Sequence, residues 1–107
     1  MGFDITKYKK RYYEFTVSES EKINLKVPTL QLAKKVPDQI KNLGTDVLTT
    51  EELQMIYEMV KEILNNNKEN KEFTLEFVSE LFEDYLILMD FLEDYSTWIY
   101  DNINQKN

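Results

Sequence analysis

Two pairs of carboxylates have the spacing that comes closest to a chemical site in this sequence. Glu80 and Asp84 lie four residues apart, and so do Asp90 and Asp94. Side chains four apart share one face of a helix, and paired carboxylates can carry out general acid–base chemistry or hold a hard cation. The chain offers no matching cluster on a second helix and no Asp-x-Asp-x-Asp-Gly loop. We therefore interpret both pairs as parts of a solvated acidic face.

The amino-acid composition excludes most kinds of enzyme active site. The 107 residues include no histidine and no cysteine, which excludes a disulfide framework, a thiolate or imidazole metal site, and a nucleophile activated by histidine. The two glycines, Gly2 and Gly44, cannot form a glycine-rich phosphate loop. We predict a protein that is not an enzyme and that uses no metal and no cofactor.

Charge is distributed unevenly along the chain. Residues 1–44 carry nine basic and five acidic side chains, whereas residues 45–107 carry four basic and fifteen acidic ones. The two halves can pair within one fold or between subunits; alternatively, the acidic half binds a basic protein or mimics DNA. Like charges four residues apart destabilise a helix by roughly a few tenths of a kcal/mol. A basic partner would relieve that cost, so we expect one.

Residues 7–13, with the sequence KYKKRYY, interleave basic and aromatic side chains. This pattern is typical of platforms on which single-stranded nucleic acid stacks. It is equally typical of a solvated arm that leads into an edge strand, where lysines discourage aggregation. The net charge of −7 favours the second interpretation, and we predict that the chain binds no nucleic acid.

Residues 11–27 alternate between apolar and polar side chains and predict a β-hairpin. The apolar faces of its two strands hold Tyr13, Phe15 and Val17, and Ile23, Leu25 and Val27. The expected register pairs Val17 with Ile23 and sets Glu14 opposite Lys26, a favourable cross-strand pair. Because an isolated hairpin is marginal in water, its apolar face must pack on helices or on another subunit.

Helix signals follow from residue 29 to about residue 104. Thr29 is a suitable N-cap for a first helix, which Pro37 should end because proline disfavours the helical conformation at Val36. A second short turn should then run to Leu43 and stop at Gly44.

A stronger helix signal begins at Thr49, which forms a capping box with Glu52, flanked by Leu48 and Leu53 as a hydrophobic staple. Its apolar stripe consists of Leu53, Ile56, Val60, Ile63 and Leu64. The helix should fade in the asparagines at 65–67.

The third helical segment begins at Thr74, with Phe73 and Val78 as the staple pair. No proline or glycine follows up to Ile103, so the pattern allows either one long helix or two helices separated near residues 83–84. One apolar stripe, typical of a core face, holds Val78, Leu81, Phe82, Tyr85, Leu86, Met89 and Leu92; a second holds Phe77, Leu88, Phe91, Tyr95 and Trp98.

Together the two stripes cover more of the helix than a small domain can bury, which predicts contact with a partner. The predicted partner-binding residues are Phe77, Leu88, Phe91, Tyr95, Trp98, Glu80, Asp84 and Asp94. We expect a single mainly α domain over residues 1–107, with a short N-terminal β-hairpin followed by three to four helices in a small bundle. The chain has no run long and apolar enough to span a membrane and no signal peptide, so we predict a cytoplasmic protein.

This layout resembles the small tail assembly chaperones of long-tailed phages and prophages of low-GC Gram-positive bacteria. The segments FDITKYKKRYYEFTV and INLKVPTLQLAKKV resemble their N-terminal hairpin and first helix, and FTLEFVSELFEDYLILMDFLEDYSTWI is similar to their C-terminal helical part. The resemblance implies a non-enzymatic factor in the host cytoplasm that binds the tape measure protein and tail tube subunits and forms homo-oligomers. It also implies that a frameshifted longer form can exist.

The acidic half of the chain supports a second hypothesis of a different class. In it, the protein is an acidic DNA mimic that inhibits a basic host nuclease or repressor. This hypothesis predicts carboxylates along one continuous face and binding that collapses when salt is added.

Overall fold

A two-stranded antiparallel hairpin followed by four α-helices makes up the fold in the computed structural model, which describes residues 2–7, 11–43 and 49–104. The strands are β1 (Tyr12–Ser18) and β2 (Glu21–Lys26), and the helices are α1 (Leu30–Leu43), α2 (Thr50–Asn65), α3 (Leu75–Leu81) and α4 (Tyr85–Asn104). This architecture confirms the predicted mainly α fold with an N-terminal hairpin. Within the described ranges, no helix is long and apolar enough to cross a membrane.

The hairpin register differs by two residues from the predicted one. The observed pairs are Tyr12–Lys26, Tyr13–Leu25, Glu14–Asn24, Phe15–Ile23 and Thr16–Lys22. The predicted pairing of Val17 with Ile23 is therefore wrong, as is that of Glu14 with Lys26. Glu14 Oε1 lies instead 3.9 Å from Nζ of Lys22.

A tight turn sets the observed register. Ser18 pairs directly with Glu21, and the pairing shifts between Thr16 and Ser18 through a bulge in β1. A shift of two residues leaves every side chain on the same face of the hairpin, whereas a shift of one would reverse the faces. The alternation of apolar and polar residues therefore predicts the apolar face of the hairpin but not which residues pair across its two strands.

Helix α1 continues through Pro37 and extends over Leu30–Leu43, so the prediction that it ends at this proline is wrong. Proline removes one helical hydrogen bond and crowds the preceding turn. Leu32 and Val36 are buried, and Ile40 packs against the same core. These three apolar side chains recur every four residues, and their burial on both sides of the proline holds the helix together.

The predicted N-caps are present. Thr29 and Thr74 each accept a hydrogen bond from the backbone N–H three residues further on, at 3.2 and 3.1 Å, and Thr49 forms the predicted capping box with Glu52. Two predicted features, the helix end at Gly44 and the staple contact of Leu48, lie outside the described residues.

The third helical segment consists of two helices that meet at a break around Phe82. The Phe82 side chain is buried, and its carbonyl accepts a hydrogen bond of 2.9 Å from the hydroxyl of Tyr57 on α2. Oδ1 of Asp84 accepts from the N–H of Leu86 at 2.9 Å, which supports the first turn of α4. The break therefore depends on contacts with α2 and on a capping side chain, not on proline or glycine.

The residues that follow α2 pair with the outer edge of β2. The N–H of Lys26 donates to the carbonyl of Asn66 at 2.8 Å, and the N–H of Lys68 donates to the carbonyl of Asn24 at 2.9 Å. Between them, Asn67 is buried and forms an isolated bridge with β2. This short pairing ties the hairpin to the helices and covers one edge of β2.

One hydrophobic cluster receives side chains from both the hairpin and the helices. Its fully buried members are Ile23, Leu25, Val36, Ile56, Val60, Ile63, Leu64, Val78, Leu88, Leu92 and Tyr95. Four of the five residues of the predicted α2 stripe are buried, and Leu53 packs on the cluster. The predicted staple pair of α3, Phe73 and Val78, is also buried.

The buried Tyr95 hydroxyl has no hydrogen-bond partner in the described part of the chain, and burial raises the pKa of Tyr95 above its ordinary value. Tyr95→Phe removes this unpaired group and should increase the free energy of unfolding by about 1 kcal/mol in urea titrations at neutral pH. Since the folded state holds this proton more tightly than the unfolded chain does, the protein loses stability as the pH rises above about 10, where the unfolded tyrosine ionises. The variant should lose that part of the alkaline dependence; a destabilised variant would show that the hydroxyl is paired.

Candidate interaction surfaces

The structure divides the predicted partner-binding stripe, which runs over α3 and α4, between the core and the surface. Leu88, Phe91 and Tyr95 are 1%, 8% and 0% exposed, so they offer no surface to a partner. Trp98 is half-buried and Phe77 is 38% exposed. The expectation that this stripe is left uncovered is therefore corrected, because the apolar face of the hairpin covers most of it.

Tyr13 of β1 is the main residue in this cover. Its ring lies edge-on to the rings of Phe91, Tyr95 and Trp98, with centroids 6.0, 5.4 and 5.6 Å away. Its hydroxyl donates a hydrogen bond of 2.6 Å to Oδ2 of Asp94. Burial, and then the Asp94 carboxylate, raise the pKa of the Tyr13 hydroxyl. Asp94, predicted to bind a partner, is thus engaged in fixing the hairpin to α4.

The structure separates one of the two acidic pairs predicted from the spacing. Glu80 lies on α3 and Asp84 lies in the break before α4, so these two do not share one helix face. Asp90 and Asp94 do lie on one helix, α4, and both are exposed. Among residues 2–7, 11–43 and 49–104, no group of three or more carboxylates is placed to hold a metal ion.

An open apolar groove, the Trp98 groove, lies where the end of the hairpin and the start of α1 meet α4. Its volume is about 260 Å³. Its walls are Val27, Pro28, Leu30, Ala33, Trp98 and Ile99, with Arg11 and Asn102 at its margin. Leu30 and Val27 are 69% and 49% exposed. The sequence pattern placed Val27 on the apolar face of the hairpin without indicating that this residue stays open.

Polar contacts fix the margin of the groove. The guanidinium of Arg11 donates to the carbonyl and to Oδ1 of Asn102, at 3.2 and 3.0 Å. Nδ2 of Asn102 donates in turn to the carbonyl of Trp98 at 2.7 Å. The indole therefore sits on a helix end that is tied to the start of the hairpin, which makes the groove a preformed surface.

A second surface, the outer face of α4, turns away from the core. Its residues, all exposed, are Leu86, Ile87, Asp90, Glu93, Asp94, Thr97 and Asp101. Leu86 is 65% and Ile87 51% exposed. Leu86 belonged to the stripe predicted as a core face, and its exposure corrects that prediction. The predicted stripe assumes one unbroken helix through residues 82–84, whereas the helix is broken there.

Comparison with models of known protein families, with characterised proteins and with solved structures found no match to this chain. The resemblance to tail assembly chaperones therefore stays a prediction. What bears on function is the shape and chemistry of the Trp98 groove and of the outer face of α4.

Proposed function

We propose that this chain is a non-enzymatic tail assembly chaperone of a long-tailed phage or prophage, acting in the host cytoplasm. It binds the tape measure protein, the tail tube subunits or both while the tail is built. The observation that supports this proposal is the Trp98 groove, an open apolar surface whose most exposed wall is Leu30.

The dimensions of the groove favour a polypeptide over a small molecule. Pockets for small molecules typically enclose about 300–1,000 Å³, and this groove, at about 260 Å³, lies below that range. A half-buried tryptophan among aliphatic side chains is the kind of anchor that dominates binding between proteins. The polar margin at Arg11 and Asn102 matches the polar rim of such interfaces.

A chaperone of this kind covers apolar helical segments of the tape measure protein. Each segment places one or two apolar side chains in the groove, which keeps the segments from aggregating. Tube subunits then polymerise around the tape measure protein and displace the chaperone. The apolar walls make this contact only weakly dependent on salt.

Leu30→Asp should weaken the complex with the tape measure protein of the same phage or prophage by about tenfold or more, because a charge replaces an apolar side chain in the interface. Affinity is measured by calorimetry or by copurification at moderate salt. Met55→Asp is the matched control, since Met55 is also exposed (55%) on a helix but lies outside both surfaces. Equal affinities of the two variants, or no complex with the unaltered chain, would contradict the proposal.

The alternative, an acidic DNA mimic that inhibits a host nuclease or repressor, is favoured by one observation. Asp90, Glu93, Asp94 and Asp101 lie on the same exposed side of α4. Partner capture at low and high salt separates the two functions: binding to a mimic falls steeply as salt rises, whereas binding in the apolar groove is largely retained.

A further inference from the structure

The first turn of α4 exposes two adjacent large apolar side chains, Leu86 and Ile87, at 65% and 51%. Single exposed hydrophobic residues are normal on proteins. Here the two stand together at the start of a helix whose next residue, Leu88, is fully buried. Leu88 therefore already supplies the contact between this turn and the core. Leu86 and Ile87 form an apolar helix face that has no partner in the described part of the chain.

The surroundings of this apolar pair carry charge of one sign. Asp90 follows Leu86 by four residues and Ile87 by three, and Glu93 follows Leu86 by seven. These spacings place the carboxylates beside the apolar pair on the same side of the helix. Between Lys71 and Lys106 the sequence has no lysine and no arginine, so α4 carries no cation of its own.

The carboxylates of this face are not neutralised by the described part of the fold. The ion pairs there join lysines to glutamates of β1, β2 and α2, and none reaches α4. Asp90 also lies three residues before Glu93 and four before Asp94, spacings at which like charges repel. A cationic partner would relieve this repulsion and would be steered to the surface by its field.

We infer that the outer face of α4 docks an amphipathic helix of another protein, one whose apolar stripe is flanked by lysine or arginine. The apolar stripe packs on Leu86 and Ile87, and the cations lie against Asp90 and Glu93. A helix fits because its apolar and basic positions recur at the same i, i+3, i+4 and i+7 spacing as this face.

This surface is held in shape before binding. Two hydrogen bonds, the one that Oδ1 of Asp84 accepts from the N–H of Leu86 and the one that Tyr57 donates to the Phe82 carbonyl, fix the break and the first turn of α4. This lowers the entropy that docking would cost. Ile87 and Trp98 are eleven residues apart on α4, about 16 Å along its axis. The inference is therefore independent of the function proposed for the Trp98 groove.

The probe is a synthetic amphipathic peptide about two heptads long, with leucines at helical spacing and lysines elsewhere. Its binding to the full chain is measured by calorimetry or fluorescence anisotropy at low and moderate salt. We expect the double variant L86S/I87S to bind it about tenfold or more weakly than the unaltered chain, although all carboxylates remain. D90N/E93Q should also bind it more weakly, with a smaller dependence on salt.

Met55→Ser is the matched control for the apolar change and should bind like the unaltered chain. D90N/E93Q keeps the test decisive if L86S/I87S folds poorly, because removing like charges should not destabilise α4. Undiminished binding by L86S/I87S, or by D90N/E93Q at low salt, would overturn the inference. So would an oligomer of the unaltered chain that L86S/I87S dissociates, since the occupant would then be a second copy of this chain.

Discussion

Phe91→Ala should lower the free energy of unfolding by about 3–5 kcal/mol, the usual cost of removing a buried aromatic ring. The ring of Phe91 lies 5.2 Å from that of Phe15 and 6.0 Å from that of Tyr13, both on β1. It also lies 5.3 Å from Phe82 and 5.7 Å from Tyr95. One side chain thus joins the hairpin, the break before α4 and the core face of α4.

Urea denaturation followed by circular dichroism measures this loss. Leu86→Ala is the matched control: it removes a large apolar side chain from the same helix at an exposed position, and surface substitutions usually change stability by about 0.5 kcal/mol or less. A loss below about 1 kcal/mol for Phe91→Ala would show that the hairpin does not cover α4. The stripe with Leu88 and Tyr95 would then be open to a partner, as the sequence alone suggested.

The parts of the fold that follow from the sequence depend on residues close together in the chain. Thr49 and Glu52 cap α2 from three residues apart, and the apolar stripe of α2 repeats within one helix. Alternation likewise identifies which face of the hairpin is apolar. Such patterns predict which side chains share a face, because the period of a helix or a strand relates neighbouring side chains directly.

The parts that do not follow depend on contacts between distant residues. The break at Phe82 is accompanied by a hydrogen bond from Tyr57, 25 residues earlier, and no proline or glycine marks it. The passage of α1 through Pro37 requires core contacts on both sides of the proline. In both cases local propensity is overridden by packing that a single segment does not reveal.

The candidate surfaces are the least predictable feature for the same reason. The sequence shows that the third helical segment is apolar over much of its circumference, but not which side the hairpin covers. The hydrogen bond between Tyr13 and Asp94, 81 residues apart, fixes the covered side, and the ring of Tyr13 packs on Phe91 and Tyr95. The break near residue 82 then turns Leu86 outward, so the open apolar residues differ from those that periodicity indicates.

Asn67→Asp should destabilise the fold by about 3 kcal/mol or more at neutral pH, since the carbonyls of Leu64 and Lys71 lose their donor and face a carboxylate in a buried position. Nδ2 of Asn67 donates to the carbonyls of Leu64 and Lys71, at 2.7 and 2.8 Å. Its Oδ1 accepts from the N–H of Lys71 at 2.8 Å. The side chain is 1% exposed, and it holds the turn that follows α2 against β2.

The pH dependence of the Asn67→Asp variant identifies this mechanism. Burial and the two carbonyl oxygens raise the pKa of the introduced carboxyl above about 3.9, its value in the unfolded chain. The folded variant then binds the proton more tightly than the unfolded chain, so its stability is greatest below about pH 4 and falls as the pH rises. The protonated carboxyl can still donate to one carbonyl and accept from Lys71, which restores part of the network. Denaturant titrations between about pH 4 and pH 7, each referred to the unaltered chain, measure this difference.

Asn66→Asp is the matched control, because it makes the same change one residue earlier at a half-buried position. Within the described part of the chain, the Asn66 side chain makes one long hydrogen bond, of 3.5 Å to the carbonyl of Val27. It should lose little stability and show little dependence on pH in this range. If the Asn67→Asp variant were destabilised equally at both ends of the range, the introduced carboxyl would be exposed to water. The turn after α2 would then not be packed against β2, and the hairpin that covers Phe91 and Tyr95 would lack this attachment to the helices.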